Sequence, residues 1–187
     1  DNAKADWYVW RDPKPDGGLP NNWISMFAGP TWEWDATRRQ YYLHIFLPEQ
    51  PDLNWRNPQV RAAMFDVARF WLDRGVDGFR IDVLWHIVKA EGLPDNPPNP
   101  AWRPGGNERD RVIKLHSTDQ PEAHAISAEM RAIADSYGDR VLIGEIFLPN
   151  DRLARWYGTS ERPQVHLPFN FCLIENEWRA EPVGRLI

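Results

Sequence analysis

The sequence predicts an α/β protein in which a mainly parallel sheet is covered by helices and preceded by a small antiparallel, aromatic-rich region. Two short apolar runs, Val76 to Asp82 and Arg140 to Glu145, have the length of buried strands. Each is preceded by an amphipathic helical pattern, so strand and helix alternate along the chain. Residues 1 to 56 instead combine aromatic clusters with Pro and Gly breaks and carry little helical periodicity.

Taken in order, Trp7 to Trp10, Trp32 to Trp34 and Tyr41 to Phe46 read as short strands, with Asp35 to Arg39 as the turn between the last two. Asn57-Pro58 opens the first helix, with Asn at the cap and Pro at the first helical position. Val60, Met64, Val67 and Trp71 recur at helical spacing and define its expected buried face, and Gly75 closes it. Val76 to Asp82 follows as a strand, and Val83 to Lys89 as a short helix. Residues 91 to 121 contain six prolines and Gly105-Gly106, the pattern of a functional excursion or a disordered insertion. Glu122 to Tyr137 is the second long helix, with Ile126, Met130, Ile133 and Tyr137 on one face and Gly138 at its end. Arg140 to Glu145 is a strand, Asn150 to Tyr157 a short helix, and Val165 to Leu173 a further strand.

Composition narrows the function classes. The chain has 187 residues, 27 acidic against 22 basic, for a net charge of -5, and lacks the cationic clusters that polyphosphate binding requires. Nucleic acid is therefore not an expected partner. No apolar run reaches the roughly 18 residues of a membrane span, so no membrane association is expected. The single cysteine, Cys172, cannot form an internal disulfide, which favours a reducing, cytoplasmic setting. Seventeen prolines and 11 tryptophans stand out. So many indoles serve either a large core or a surface where flat rings stack on sugars, and composition does not choose between the two.

Both apolar runs end in an acid: Gly78-Phe79-Arg80-Ile81-Asp82 and Leu142-Ile143-Gly144-Glu145. Parallel α/β architectures build their sites at such carboxyl ends. Two carboxyl groups brought together there can divide glycosidic cleavage, one attacking the anomeric carbon and the other protonating the leaving oxygen. Arg80 and Asp82 lie two apart on a strand and share a face, and a nearby guanidinium favours the charged carboxylate that a nucleophile needs. Taken singly, the same acids also suit helix caps or structural ion pairs.

In combination these segments resemble the alpha-amylase superfamily of glycoside hydrolases, its alpha-glucosidase and oligo-1,6-glucosidase branch. The resemblance rests on Gly78 to Asp82 with His86 four residues on, on Gly144-Glu145-Ile146, and on Gln50-Pro51-Asp52-Leu53-Asn54-Trp55 ahead of both. Asp6 to Pro13, Asn22-Trp23, Tyr41 to His44 and Leu167-Pro168-Phe169-Asn170-Phe171 extend it over nearly the whole chain.

The resemblance implies part of a (β/α)₈ TIM barrel with the later portion of an inserted β-rich domain placed after strand 3. Residues 1–47 correspond to the inserted domain and 48–187 to the barrel, from about helix 3 to helix 6. It implies a retaining double displacement in which Asp82 is the nucleophile, Glu145 the general acid/base and Arg80 the arginine that holds the nucleophile. His86, Val83 and Phe147 fall on the substrate-binding side. A valine after the nucleophile goes with α-1,6 links in this branch, yet Val83 to His86 and Glu145 to Pro149 also resemble a subgroup acting on α-1,4 links. Trp55, Trp85 and Trp102 are candidates to face sugar.

The expected substrate is a short α-glucoside, with transfer or isomerisation of maltose or sucrose as the alternative enzyme reading and a non-catalytic barrel relative as the third. No cofactor is implied, and the superfamily's calcium ligands fall mostly in segments outside this sequence. So do its first histidine-containing region and its third carboxylate, so the chain reads as an internal fragment, inactive by itself. Oligomeric state is not indicated.

Overall fold

A computed structural model of the chain describes residues 2–169, 171–174 and 176–186. Asn170, in one of the motifs above, lies outside them. The chain divides into two compact units, Asp1–Ala63 with His86–Gln120, and Met64–Trp85 with Pro121–Ile187.

The first unit contains an antiparallel sheet of β1 (Trp10–Arg11), β2 (Trp32–Asp35) and β3 (Gln40–Leu43), in the order β1-β3-β2. The β2–β3 hairpin turns where Asp35 can close it: its side chain accepts from the Arg38 N–H at 2.6 Å and its carbonyl from the Arg39 N–H at 2.8 Å. Arg39 there adopts φ 57°, the left-handed conformation the turn demands. Trp23, Trp32, Leu43, Ile45 and Leu93 form the core, so several tryptophans serve burial. Trp32 also donates its indole N–H to Asn21 Oδ1 at 2.7 Å, which in turn meets the requirement of a buried polar atom.

The proline-rich excursion is ordered and belongs to this unit. The Asn22 side-chain amide donates to Asn96 O and accepts from the Asn96 N–H, each at 2.8 Å, and the Asn96 side chain accepts from the His116 N–H and donates to Ser117 Oγ. Trp23 Nε1 donates to Pro94 O at 2.8 Å. Prolines cannot donate, so side-chain amides supply the pairing that a ladder would otherwise provide. Of the two readings of this stretch, disorder is the one overturned.

The second unit holds a parallel sheet of β4 (Gly78–Ile81), β5 (Val141–Glu145) and β6 (Leu167–Phe169), in that order. Gly78 pairs with Val141, Arg80 with Ile143, and Glu145 with Phe169. Helix α2 (Pro121–Asp135) buries Ala123, Ile126, Ser127 and Ala134. The short α3 (Asn150–Leu153) runs into a 3₁₀ turn at Ala154–Tyr157. A last helix, α4 (Ala180–Gly184), was not expected from the pattern.

Helix α1 (Pro58–Leu72) begins at the expected proline and buries Val60 as expected, but beyond it turns a different stripe inward. Val60, Phe65, Ala68 and Leu72 are buried, while Val67 and Trp71 of the expected face are half exposed. Its sequence is apolar on more than one side, so packing chooses the face. Two other elements are shorter than expected. Only Leu167–Phe169 of residues 165–173 is strand, and residues 83–89 hold a 3₁₀ turn at Leu84–His86 in place of a helix. Val83, at φ 47°, lies in the left-handed region and is outside any right-handed helix, so the turn starts only at Leu84. No helix among the described residues is long and apolar enough to cross a membrane.

Candidate active site

Parallel pairing of β4 and β5 carries both acids to one end of the sheet. In-register alignment of Ile81 with Gly144 leaves Asp82 and Glu145 at the next step of adjacent strands. Glycine is required at one point of this geometry and closely packed at another. A Cβ on Gly78 would sit 1.9 Å from the Val141 carbonyl oxygen, so the strands approach only without a side chain there. One on Gly144 would meet the Val165 and Leu84 methyls at 3.1–3.3 Å.

Arg80 links the two acids. Its Nη1 donates to Asp82 Oδ1, and its Nη2 donates to Glu145 Oε2 at 2.7 Å. The expected sharing of a face by Arg80 and Asp82 is thus realised. The Glu145 side chain is 19% exposed, against 71% for Asp82. Burial pushes the Glu145 carboxyl above the usual glutamate range, and the neighbouring Asp82 carboxyl adds to this; the Val83 N–H and the Arg80 guanidinium pull the other way. A less exposed acid whose carboxyl is shifted upward, beside a more exposed one, suits the division of labour between general acid and nucleophile. Val83 N–H donates to Glu145 Oε2 at 3.2 Å, a main-chain contact that no sequence pattern announces.

Phe147, two residues beyond Glu145, meets Phe171 edge to face at 5.2 Å, and Phe171 stacks on Phe169 at 5.7 Å. Phe147 also lines a cavity of about 270 Å³ with Leu148, Pro149 and Cys172. Phe169 and Phe171 could have been found from their place at the end of the third parallel strand. Trp85 is buried, which removes it from the sugar-facing candidates, and Trp102 donates its N–H to Asn107 O inside the ordered excursion.

His86 belongs to the first unit, is 4% exposed, and packs edge to face on Phe46 at 6.0 Å. Burial first, and then the Lys89 and Lys114 ammonium groups, hold it neutral well below the usual histidine range. Lys89 itself is buried and paired with Asp52 of the Gln50 to Trp55 motif, whose other oxygen accepts the Ile45 N–H at 2.7 Å. Among the described residues no cluster of three or more His, Cys, Asp or Glu side chains could hold a metal ion. A cavity of about 440 Å³ in the first unit, bordered by Trp10, Arg38, Gln40 and Trp55, includes neither acid.

The family model of the alpha-amylase catalytic domain matches residues 1–185. The chain belongs to the alpha-amylase family. This alpha-amylase family chain is 46% identical over 151 residues to a probable alpha-glucosidase of Rhizobium meliloti (strain 1021), covering 78% of the chain and 27% of that protein. It is 42% identical to an oligo-1,6-glucosidase of Heyndrickxia coagulans, covering 99% of the chain and 32% of the relative. It spans about a third of the length of these glycoside hydrolases. Among solved structures, the alpha-glucosyl transfer enzyme XgtA superposes with a TM-score of 0.89 at 40% identity, over 100% of this chain and 36% of that one. The trehalulose synthase MutB, as an A258V variant, gives 0.76 at 38% identity, over 93% and 30%.

Proposed function

We propose that the intact protein is a retaining glycoside hydrolase that releases α-glucose from the non-reducing end of short α-glucosides. The observation that carries this reading is the convergence of Asp82, Arg80 and Glu145 at the carboxyl ends of β4 and β5. Asp82 attacks the anomeric carbon and forms the glycosyl-enzyme while Glu145 protonates the departing oxygen. Glu145, now ionised, then takes a proton from water that attacks the same carbon, so two inversions retain configuration. Arg80 orients Asp82 through its direct hydrogen bond. Val83 and Phe147 lie beside the acids in sequence and are assigned to the leaving-group side; the linkage, α-1,4 or α-1,6, is a contact of methyl scale, worth about 1–3 kcal/mol. His86 is proposed to bind substrate, the role that the resemblance implies for its place four residues after Asp82.

In this reading residues 1–47 are the later part of an inserted β-rich domain and 48–187 part of a (β/α)₈ barrel, about helix 3 to helix 6. The half-exposed Val141, Leu167 and Phe169 on one face of the sheet suit a barrel that continues around it. The protein is proposed to act in the cytoplasm. Transfer of glucose to a sugar hydroxyl is the second reading, favoured by the likeness to XgtA and MutB and by the Phe147–Phe171 pair, an apolar surface able to limit water.

Incubating the intact protein with maltose, isomaltose and sucrose, with products followed by proton NMR from the first minutes, tests this. Initial α-glucose from sucrose alongside fructose supports the retaining hydrolase, and new glycosidic signals from sucrose without free glucose support transfer. Asp82→Asn and Glu145→Gln are each expected to remove activity, with azide restoring turnover of an activated substrate by the second. Near-normal turnover by Asp82→Asn would sink the assignment.

A further inference from the structure

Val83 holds a conformation that its side chain disfavours. At φ 47° it is a β-branched residue in the left-handed region, where such residues are rare because Cβ crowds the following carbonyl. Strain of this kind persists only where neighbours enforce it, and it gathers at functional sites. Here it has a visible product: the chain turns immediately after Asp82 so that the Val83 N–H points at Glu145 Oε2, 3.2 Å away. The Arg80 Nη2 reaches the same oxygen at 2.7 Å. One oxygen of the acid/base therefore accepts two donors, both of which favour a lone pair over a proton at that atom.

We infer that Val83 acts through its main chain as a positioning residue: with Arg80 it anchors Oε2 of Glu145 and leaves Oε1 to carry the proton that is donated to the leaving oxygen. This rests on the proposed roles of Asp82 and Glu145 and goes beyond the steric part assigned to the Val83 side chain. The same strained turn thereby ties the nucleophile to the acid/base, because the residue that follows Asp82 is the one that holds Glu145. Position 83 has two separable functions, an isopropyl group toward the substrate and an N–H toward the acid.

The test exchanges the amide for an ester in the intact enzyme, by replacing Val83 with its α-hydroxy acid, which keeps the isopropyl group and lacks the N–H. The N–H stabilises ionised Glu145, so its removal raises the pKa of that group. The descending alkaline limb of kcat/KM on a disaccharide is expected to move up by about one pH unit, from the usual strength of a hydrogen bond to a charged group. Turnover of an aryl glucoside whose leaving group needs no protonation keeps its rate of glycosyl-enzyme formation. Val83→Gly retains the N–H and relaxes the strain, so it is expected to leave the limb in place while changing the ratio of maltose to isomaltose cleavage. If the ester variant does not fold, the Val83 amide proton is followed by NMR in the unsubstituted enzyme and in Glu145→Gln across the same pH range, and is expected to shift with the Glu145 titration in the first alone. An unmoved limb in the folded ester variant, a limb moved equally by Val83→Gly, or a Val83 amide proton that does not follow the Glu145 titration overturns the inference. Failure of the unsubstituted enzyme to cleave any α-glucoside instead removes the functional reading and this inference with it.

Discussion

Adding one methyl group at Gly78 measures how tightly the site depends on the β4–β5 pairing. The new Cβ would lie 1.9 Å from the Val141 carbonyl oxygen and 2.8 Å from Val141 N and C, all main-chain atoms of the neighbouring strand. A normal carbon–oxygen contact needs more than 3 Å, so the strands must part by about 1 Å, and no side-chain rotation relieves this. The Val141 N–H to Asp77 O hydrogen bond of 2.9 Å lies at the same place and is lost with the separation. The cost therefore exceeds the usual 1–3 kcal/mol of overpacking, and about 4 kcal/mol is expected. Arg80 and Asp82 stand two and four residues further on, and a shift of about 1 Å there lowers kcat/KM about 100-fold.

Gly144→Ala supplies the control. Its Cβ meets only side-chain methyls of Val165 and Leu84 at 3.1–3.3 Å, which can yield by a few tenths of an ångström, so about 1–2 kcal/mol is expected. Urea unfolding of the intact enzyme followed by tryptophan fluorescence, together with kcat/KM on maltose, ranks the two. Gly78→Ala with the parent's midpoint and activity, or Gly144→Ala as the costlier change, would refute the reasoning.

The raised Glu145 pKa makes a pH prediction. The acid works when protonated, so kcat/KM on disaccharides falls as pH rises through a value above the ordinary glutamate range, whereas an activated aryl glucoside lacks this dependence in its first step. Lys89→Met removes the buried partner of the partly buried Asp52 carboxylate and is expected to cost about 3 kcal/mol in urea unfolding, part of which Asp52→Asn restores in the double variant; equal stability of Lys89→Met and parent would show that the pair contributes nothing. The isolated 187-residue chain, with Val67, Phe70, Trp71, Leu167 and Phe169 half exposed, is expected to lack a cooperative transition with a native-like near-UV signal, and a sharp one would contradict the barrel reading.

Where the sequence was legible, the information was local. Asn57-Pro58 marks the start of α1 because proline's fixed φ suits a first helical turn, and short apolar runs bounded by glycine mark β4 and β5. The acids at the ends of those runs named the candidate chemistry, and the structure places Arg80 between them. The buried side of α1 was not legible, because Val67 and Trp71 compete with Phe65, Ala68 and Leu72 and only a neighbouring surface can choose. The burial of His86 against Phe46 was not legible either, since the motif gave its position in the chain and not its neighbours.

By itself, then, the sequence determined the alternation of strand and helix, the two carboxyl groups and the family, since these depend on residue type and spacing. Tertiary structure alone decided that residues 86–120 pack with the β-rich region through Asn22 and Asn96, that Lys89 neutralises Asp52, and that the Val83 N–H reaches Glu145. Each of these joins residues 37 to 74 positions apart, and hydrogen bonds over such separations are set by strand register and backbone conformation, quantities that no local pattern encodes.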